Sequence, residues 1–540
     1  MDARKIAIII HKTEEELCAR LIDSLQNIEV PEDYDVEVLP VEGDEKFFVY
    51  DFAMNHSDAK YKIYVDEKIL VFDKNILSKL LEIFQSDEKI GIIGVSGAIK
   101  ISTHGTCIES EQRCGKIFLT QKKILFEWEN IDGDFQAVDA VDGWFMATQY
   151  DLTWRHDIFH GDTFGDTVQC IEFMRQKNYK SVVIQQETPA IWYTGQSWGK
   201  DEISRNIFLD EYSKINFPLV SVIIPTFNRP KYFELALGSA LAQTYRNIEI
   251  VVSDNSTEND TEILIQKYLA KFSNVKYFRH KNFSADDNWN FCRHYNNPDA
   301  EFVNWLMDDD LFFPEKIEHM VEVCINNPGV SLVTSYRDFI DKDNKIRQVH
   351  SKFFNDTGLM EGKKAGRLLV IFDNYIGEPT TVLIRKKFLR DNDMCWFEDE
   401  QGFYPLVDVS TWLQLLTKGD LFYINESLSA FRNHDNQQTL FKGTGLRMMM
   451  CWTKLLKAAL EQKFFLQDER DIRLAFTHWF RNIALKFRDV QAEGYTGPEV
   501  SIAEEFYIAM AKAFRNDYKI EYPPIKFCGA DKFIKIFEKR

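Results

Sequence analysis

Positive charge is in short supply: the 540 residues carry 65 Lys and Arg against 84 Asp and Glu, a formal net charge of -19. That argues against a general nucleic-acid binder, whose surface is basic. An anionic ligand still suits such a chain if a metal or a local basic group neutralises it. Cysteine is sparse and unpatterned. The nine cysteines are odd in number, none sits in a C-x-x-C, and the nearest two are Cys107 and Cys114. This disfavours a zinc site or a disulfide framework, and a reducing cytosol fits best. No stretch approaches the roughly 20 apolar residues of a membrane span. The opening MDARKIAIIIH has an apolar run too short for a signal peptide and lacks a small-residue cleavage site. The expectation is a cytoplasmic protein, any membrane contact being peripheral at the inner face.

What is present is ordinary in bulk and specific in detail. Hydrophobic residues make up 45% and charged residues 28%, a globular balance. The length exceeds one ordinary core, so two or three domains are expected. The 43 Phe, 21 Tyr and 11 Trp fill cores and offer faces for stacking on bases and sugars. The chain opens with a buried-strand pattern, K-I-A-I-I-I, followed by a helical one that Thr13 and Glu16 would cap. The stretch 199–217 is polar and helical and reads as a connector. At Pro218 the pattern restarts as β-α-β-α-β, with polar residues gathering at strand C-terminal ends, where open α/β sheets bind ligands. From about residue 441 the spacing becomes helical.

The most informative stretch is N-W-L-M-D-D-D-L-F-F-P-E-K-I, residues 304–317. Three adjacent carboxylates, Asp308, Asp309 and Asp310, repel one another, and their apolar flanks suggest burial, which sharpens the repulsion. A helix cap would explain one aspartate. A calcium loop lacks its Gly and terminal Glu. The third reading is a Mg²⁺ or Mn²⁺ ion held against a diphosphate.

The surrounding motifs favour the third. VSVIIPTFNRPKYFELALGSALAQTYRNIEIVVSDNSTENDT, NFSADDNWNFC, LMDDDLFFPEKI, GEPTTVLIRK and VDVSTWLQLLTKGDLFYINESLSAFRNHDNQQ follow one another from Pro218 to Gln438. In that order they resemble family 2 glycosyltransferases of the GT-A fold. The resemblance implies an inverting, metal-dependent transfer of a sugar from a nucleotide-sugar, UDP-linked in many members, to a glycan, lipid-linked or protein acceptor. Asp308 would face the ribose, Asp309 and Asp310 would supply the metal carboxylate, and His434 would complete the metal shell or be structural. Thr226, Asn228, Arg229, Asn282 and Asn288 would line the nucleotide-sugar site. Asp254 would bond the base, start an Asx turn, or do both. Asp408 matches the general base, though a carboxylate opening an apolar helix is also a natural N-cap. Glu378 would lie at the acceptor loop. Trp412 and Trp396 would stack on a sugar or belong to the core.

Residues 1–198 carry MNHSDAKYKIYVDEKILV, DEKIGIIGVSG and VDAVDGWFMATQYDLTWRHDIF. They resemble a streptomycin-biosynthesis type of GT-A glycosyltransferase domain. Lys68 stands where that type has a metal-binding aspartate and Tyr193 where it has a histidine. Lys68 beside a phosphate could replace a cation. The resulting architecture is α/β: a degenerate GT-A-like domain (1–198), a connector (199–217), a catalytic GT-A domain (218–440) and a helical C-terminal domain (441–540). Two alternatives stay open, a two-site glycan polymerase and a non-catalytic sugar-nucleotide-binding scaffold. Oligomerisation is open as well.

Overall fold

The computed structural model describes residues 1–195, 201–349, 352–389, 406–434 and 442–521. The chain divides into two compact units, residues 1–217 and 218–540.

The first unit is built on a mixed sheet around the strand Asp2–Lys12. That strand runs parallel to Asp35–Glu42 on one side and to Ala59–Asp66 on the other. Phe145–Thr148 then pairs antiparallel with Ala59–Asp66 and with Ile90–Gly94. Ile6 to Ile10 are all buried, at 3% exposure or less. A strand covered on both faces needs such an unbroken apolar run. A smaller sheet joins Ile69–Val71 to Ile191–Tyr193 and Arg113–Leu119. The stretch 199–217 is more than a connector. Asp201 caps the helix Glu202–Asn216 by accepting from Ser204 N at 3.0 Å. Phe208 is fully buried with its ring 5.3 Å from that of Phe164, and Tyr212 donates to Glu172 at 2.9 Å. These contacts make the helix part of the first unit.

In the second unit, four parallel strands lie side by side in the order Val275–Arg279, Ile248–Asp254, Leu219–Thr226 and Ala300–Trp305. The sheet continues through Leu383–Arg385 and Val330–Ile340 to Asp420–Arg432, with the two-residue strand Leu311–Phe312 at its edge. The strand order reverses around Leu219–Thr226 and Ala300–Trp305, so loops leaving their C-terminal ends diverge and open a crevice. The helices Thr444–Gln462, Glu469–Ala492 and Pro498–Arg515 do not form a separate core. Leu446, Met450 and Trp479 share one apolar cluster with Leu369 and Trp412 of the preceding helices. Arg367 grips Asp471 with two N–H groups across the same junction. Among the described residues, no helix is long and apolar enough to cross a membrane.

Candidate active site

The acidic turn is set by both neighbouring strands. Ala300–Trp305 ends, Asp310 N closes a turn on Met307 O at 3.1 Å, and Phe313 N then joins Leu428 O at 3.0 Å. The three aspartates thereby face three different sets of partners. Asp308 accepts from Thr226 Oγ1 at 2.9 Å, Phe227 N at 3.3 Å and Arg229 at 3.2 Å. Asp309 Oδ2 meets Arg229 at 2.9 Å and His434 Nε2 at 3.0 Å. Asp310 accepts from Thr380 Oγ1 at 2.6 Å and from the backbone N of Arg432 at 3.0 Å. Arg432 also donates through Nε to Asp309 O at 2.7 Å while its guanidinium lies over the Tyr232 ring. It therefore clamps the turn, a role its plain place at a strand end does not advertise.

Burial and the Asp309 charge push the Asp308 carboxyl up to about 7, against the pull of Arg229. Burial and the charges of Asp309 and Glu378 hold Asp310 well above the carboxylate range. Asp408 lies in the first turn of the helix Val407–Leu416, where Leu406, not Asp408, is the cap residue. Burial and the Glu378 charge raise it to about 7. Glu378 is itself held by Arg337 at 2.8 Å.

These groups converge on a cleft of about 360 Å³, within the range of small-molecule sites. Its lining brings together Thr226, Arg229, Asn288, Glu378 and Asp408 with all three aspartates of the turn. Asn288 is buried, bonding Ser253 and Asn255. Other expected residues stand elsewhere. Asn228, at φ 52°, staples its loop to Thr257, its Oδ1 accepting from Thr257 N at 2.9 Å. Asn282 is exposed on the turn before the helix Ala285–His294, away from the cleft lining. Asp254 is 0% exposed, accepting from Ser256 N at 2.7 Å and Tyr277 at 2.8 Å and pairing with Arg279 at 2.9 Å. It forms the Asx turn and stands outside the cleft lining. Trp412 corrects the expectation of an acceptor platform. It is 0% exposed, stacks on Trp305 and donates Nε1–H to Gly377 O at 3.0 Å. Trp396 lies outside the described residues.

The aromatic residues lining the cleft are instead Phe227, Trp289 and Phe431. Trp289 follows Asn288 on a helix whose Ala285, Asp286, Asn288 and Trp289 share the cleft-facing side. Its place directly after Asn288 was the available signal.

A divalent cation fits here in one mode. Among the described residues, no three His, Cys, Asp or Glu side chains form a metal-binding group. Asp309 Oδ2 and His434 Nε2 do converge, and six carboxylates against one guanidinium line the cleft. Such a donor set suits an ion that takes its remaining ligands from substrate phosphates and water.

The sequence comparisons agree with this architecture. A model described as "Glycosyltransferase like family" matches residues 7–212, and one described as "Glycosyl transferase family 2" matches residues 221–392. An uncharacterized glycosyltransferase of Rickettsia typhi is 30% identical over 261 residues, 46% of this chain and 75% of the relative. The GalNAc(5)-diNAcBac-PP-undecaprenol beta-1,3-glucosyltransferase of Campylobacter jejuni is 26% identical over 269 residues, 49% of this chain and 82% of the relative. The chain spans between 23% and 36% of three further Rickettsia relatives. Among solved structures, S. aureus TarS is similar at 17% identity and a TM-score of 0.39, over 55% of this chain and 49% of that one. The fold is that of two GT-A-like domains in tandem followed by a helical region. The chain belongs to the family 2 glycosyltransferases.

Proposed function

We propose that the chain is an inverting, metal-dependent glycosyltransferase with its working site in residues 218–440. It moves a sugar from a UDP-sugar to a glycan, lipid-linked or protein acceptor. One juxtaposition carries the reading: Asp408 and the Asp308–Asp310 turn line the same cleft. Asp408 is the general base. A carboxyl held near 7 is a far better proton acceptor than an ordinary one and is still half ionised at neutral pH. It takes the acceptor hydroxyl proton as that oxygen bonds to the anomeric carbon, on the face opposite the departing diphosphate. Asp308, oriented by Thr226 and Arg229, accepts from the ribose hydroxyls, and Phe227 and Trp289 wall the site against water. Asp309 and His434, with Asp310 beside them, hold Mn²⁺ or Mg²⁺. When bound, that ion offsets the charge growing on the leaving diphosphate.

The name of the Campylobacter relative makes a lipid-linked saccharide the first acceptor to try. The test is titration of the intact chain with UDP and Mn²⁺, followed by transfer assays with UDP-sugars. Metal-dependent binding that Asp309→Ala abolishes is expected. Undiminished binding in that variant refutes the site.

A further inference from the structure

The two domains invite a position-by-position comparison, because both place an acid after the strand that pairs with the opening strand. In the second domain Val222 pairs with Asn304 and Ile223 with Trp305, which carries Thr226 opposite Asp308. In the first, Ile10 pairs with Val65 and His11 with Asp66, which carries Lys12 opposite Glu67. The hydrogen bonds agree with this register. Phe227 N donates to Asp308 at 3.3 Å, and its counterpart Thr13 N donates to Glu67 at 2.9 Å. Glu67 is therefore the counterpart of Asp308. The next two positions, Asp309 and Asp310 in the second domain, are Lys68 and Ile69 in the first.

The two acids at this strand end, Glu67 and Asp66, are already engaged. Glu67 is 4% exposed and takes Thr13 N, Thr13 Oγ1 and Glu14 N at 3.2 Å. Asp66 accepts Lys68 N at 2.9 Å and pairs with Lys46 Nζ at 3.2 Å, Lys46 being 6% exposed. Ile69 is 0% exposed and joined to Tyr193. The cavity bordered by Lys46, Tyr50, Asp162 and Asp166 has about 10 Å³, room for one water, and Asp166 there accepts from Gly143 N at 2.8 Å and Thr167 N at 2.9 Å. The residues do not fit a divalent cation: where the second domain offers two carboxylates, the first offers a lysine and a buried isoleucine. A lysine repels a metal ion as strongly as an aspartate attracts one.

We infer that the first domain is a metal-free relic of a donor site, its cation position taken by the chain's own Lys46 and Lys68, so that the protein holds one metal–nucleotide per chain. This rests on the metal role proposed for the second domain only for the count of one. The experiment is Mn²⁺ binding by the full chain, read by electron paramagnetic resonance in the presence of UDP, for wild type and for Asp309→Ala. One ion per chain, lost in the variant, is the expected result. Two ions in wild type, or one that survives Asp309→Ala and is lost when Asp66→Ala and Glu67→Ala are added, overturns the inference. No ion in either protein leaves the first domain metal-free as inferred and sinks the metal dependence proposed above, so the two failures are separable. A parallel titration with UDP in EDTA tests the remaining escape. Binding there that Lys68→Ala abolishes would show the lysine holding a diphosphate, and would overturn the relic reading.

Discussion

Asp408→Asn separates a catalytic carboxylate from a structural one. Asp408 has an ordinary value of 3.8 and is raised to about 7 in the fold by burial and by Glu378. The folded state thus binds the proton more firmly than the unfolded chain, and stability falls as pH rises from about 4 to 7. Above pH 7 the ionised group costs the fold up to roughly 4 kcal/mol, three decades in affinity at about 1.36 kcal/mol each. Asparagine removes the charge and keeps the shape. Urea unfolding should show the variant equal to wild type near pH 4 and more stable at pH 8. Transfer should fall by about 10²–10⁴-fold, the usual contribution of a general base, while UDP–Mn²⁺ affinity stays within a factor of two or three. The acid limb of the wild-type turnover profile, centred near 7, should vanish from the residual activity. Asp308 is also raised to about 7, but it faces the donor, so its titration belongs to donor affinity and not to turnover. A variant that loses donor binding in parallel with transfer, or that is less stable than wild type at pH 8, would refute the assignment of Asp408 as base.

Other substitutions probe the neighbouring assignments. Asp310→Ala should abolish both transfer and metal-dependent donor binding, which calorimetry and a sugar-transfer assay can follow side by side. Trp412→Ala should cost about 3–5 kcal/mol of stability through a cavity beside Trp305; a normal melting temperature with a raised acceptor KM would restore it as an acceptor contact. Lys316 is fully buried, its Nζ on Asn304 Oδ1 at 2.6 Å, and burial depresses its proton affinity well below the ordinary range. The unfolded chain then binds the extra proton, so wild-type stability should rise with pH toward 10. Lys316→Met should remove that slope in denaturation measured at pH 7 and pH 9.5.

Which residues were legible in the sequence follows from how locally their roles are fixed. The aspartate turn was legible because adjacent carboxylates between apolar flanks conflict wherever they are placed, and the conflict itself asks for a cation. The strand-helix alternation was legible for a similarly local reason, the buried strands being apolar without a break. Trp412 was not, since an indole serves equally well as core or as platform, and only the approach of Trp305 and Gly377 decides. The helix Glu202–Asn216 passed for a connector because its polar residues outnumber its anchors, although Phe208 and Tyr212 lie one turn apart. Asp254 and Asp408 make the general case. Both are acids beside a strand end or helix start, and by sequence both serve as a local cap or a ligand contact. In the fold Asp254 meets two hydroxyl or amide donors and an arginine, and it stands outside the cleft lining. Asp408 fails to cap its helix and lines the cleft beside Glu378. A half-buried carboxyl that caps nothing is destabilising at neutral pH when its pKa is raised, and that cost is the strongest physical reason to assign it a chemical role.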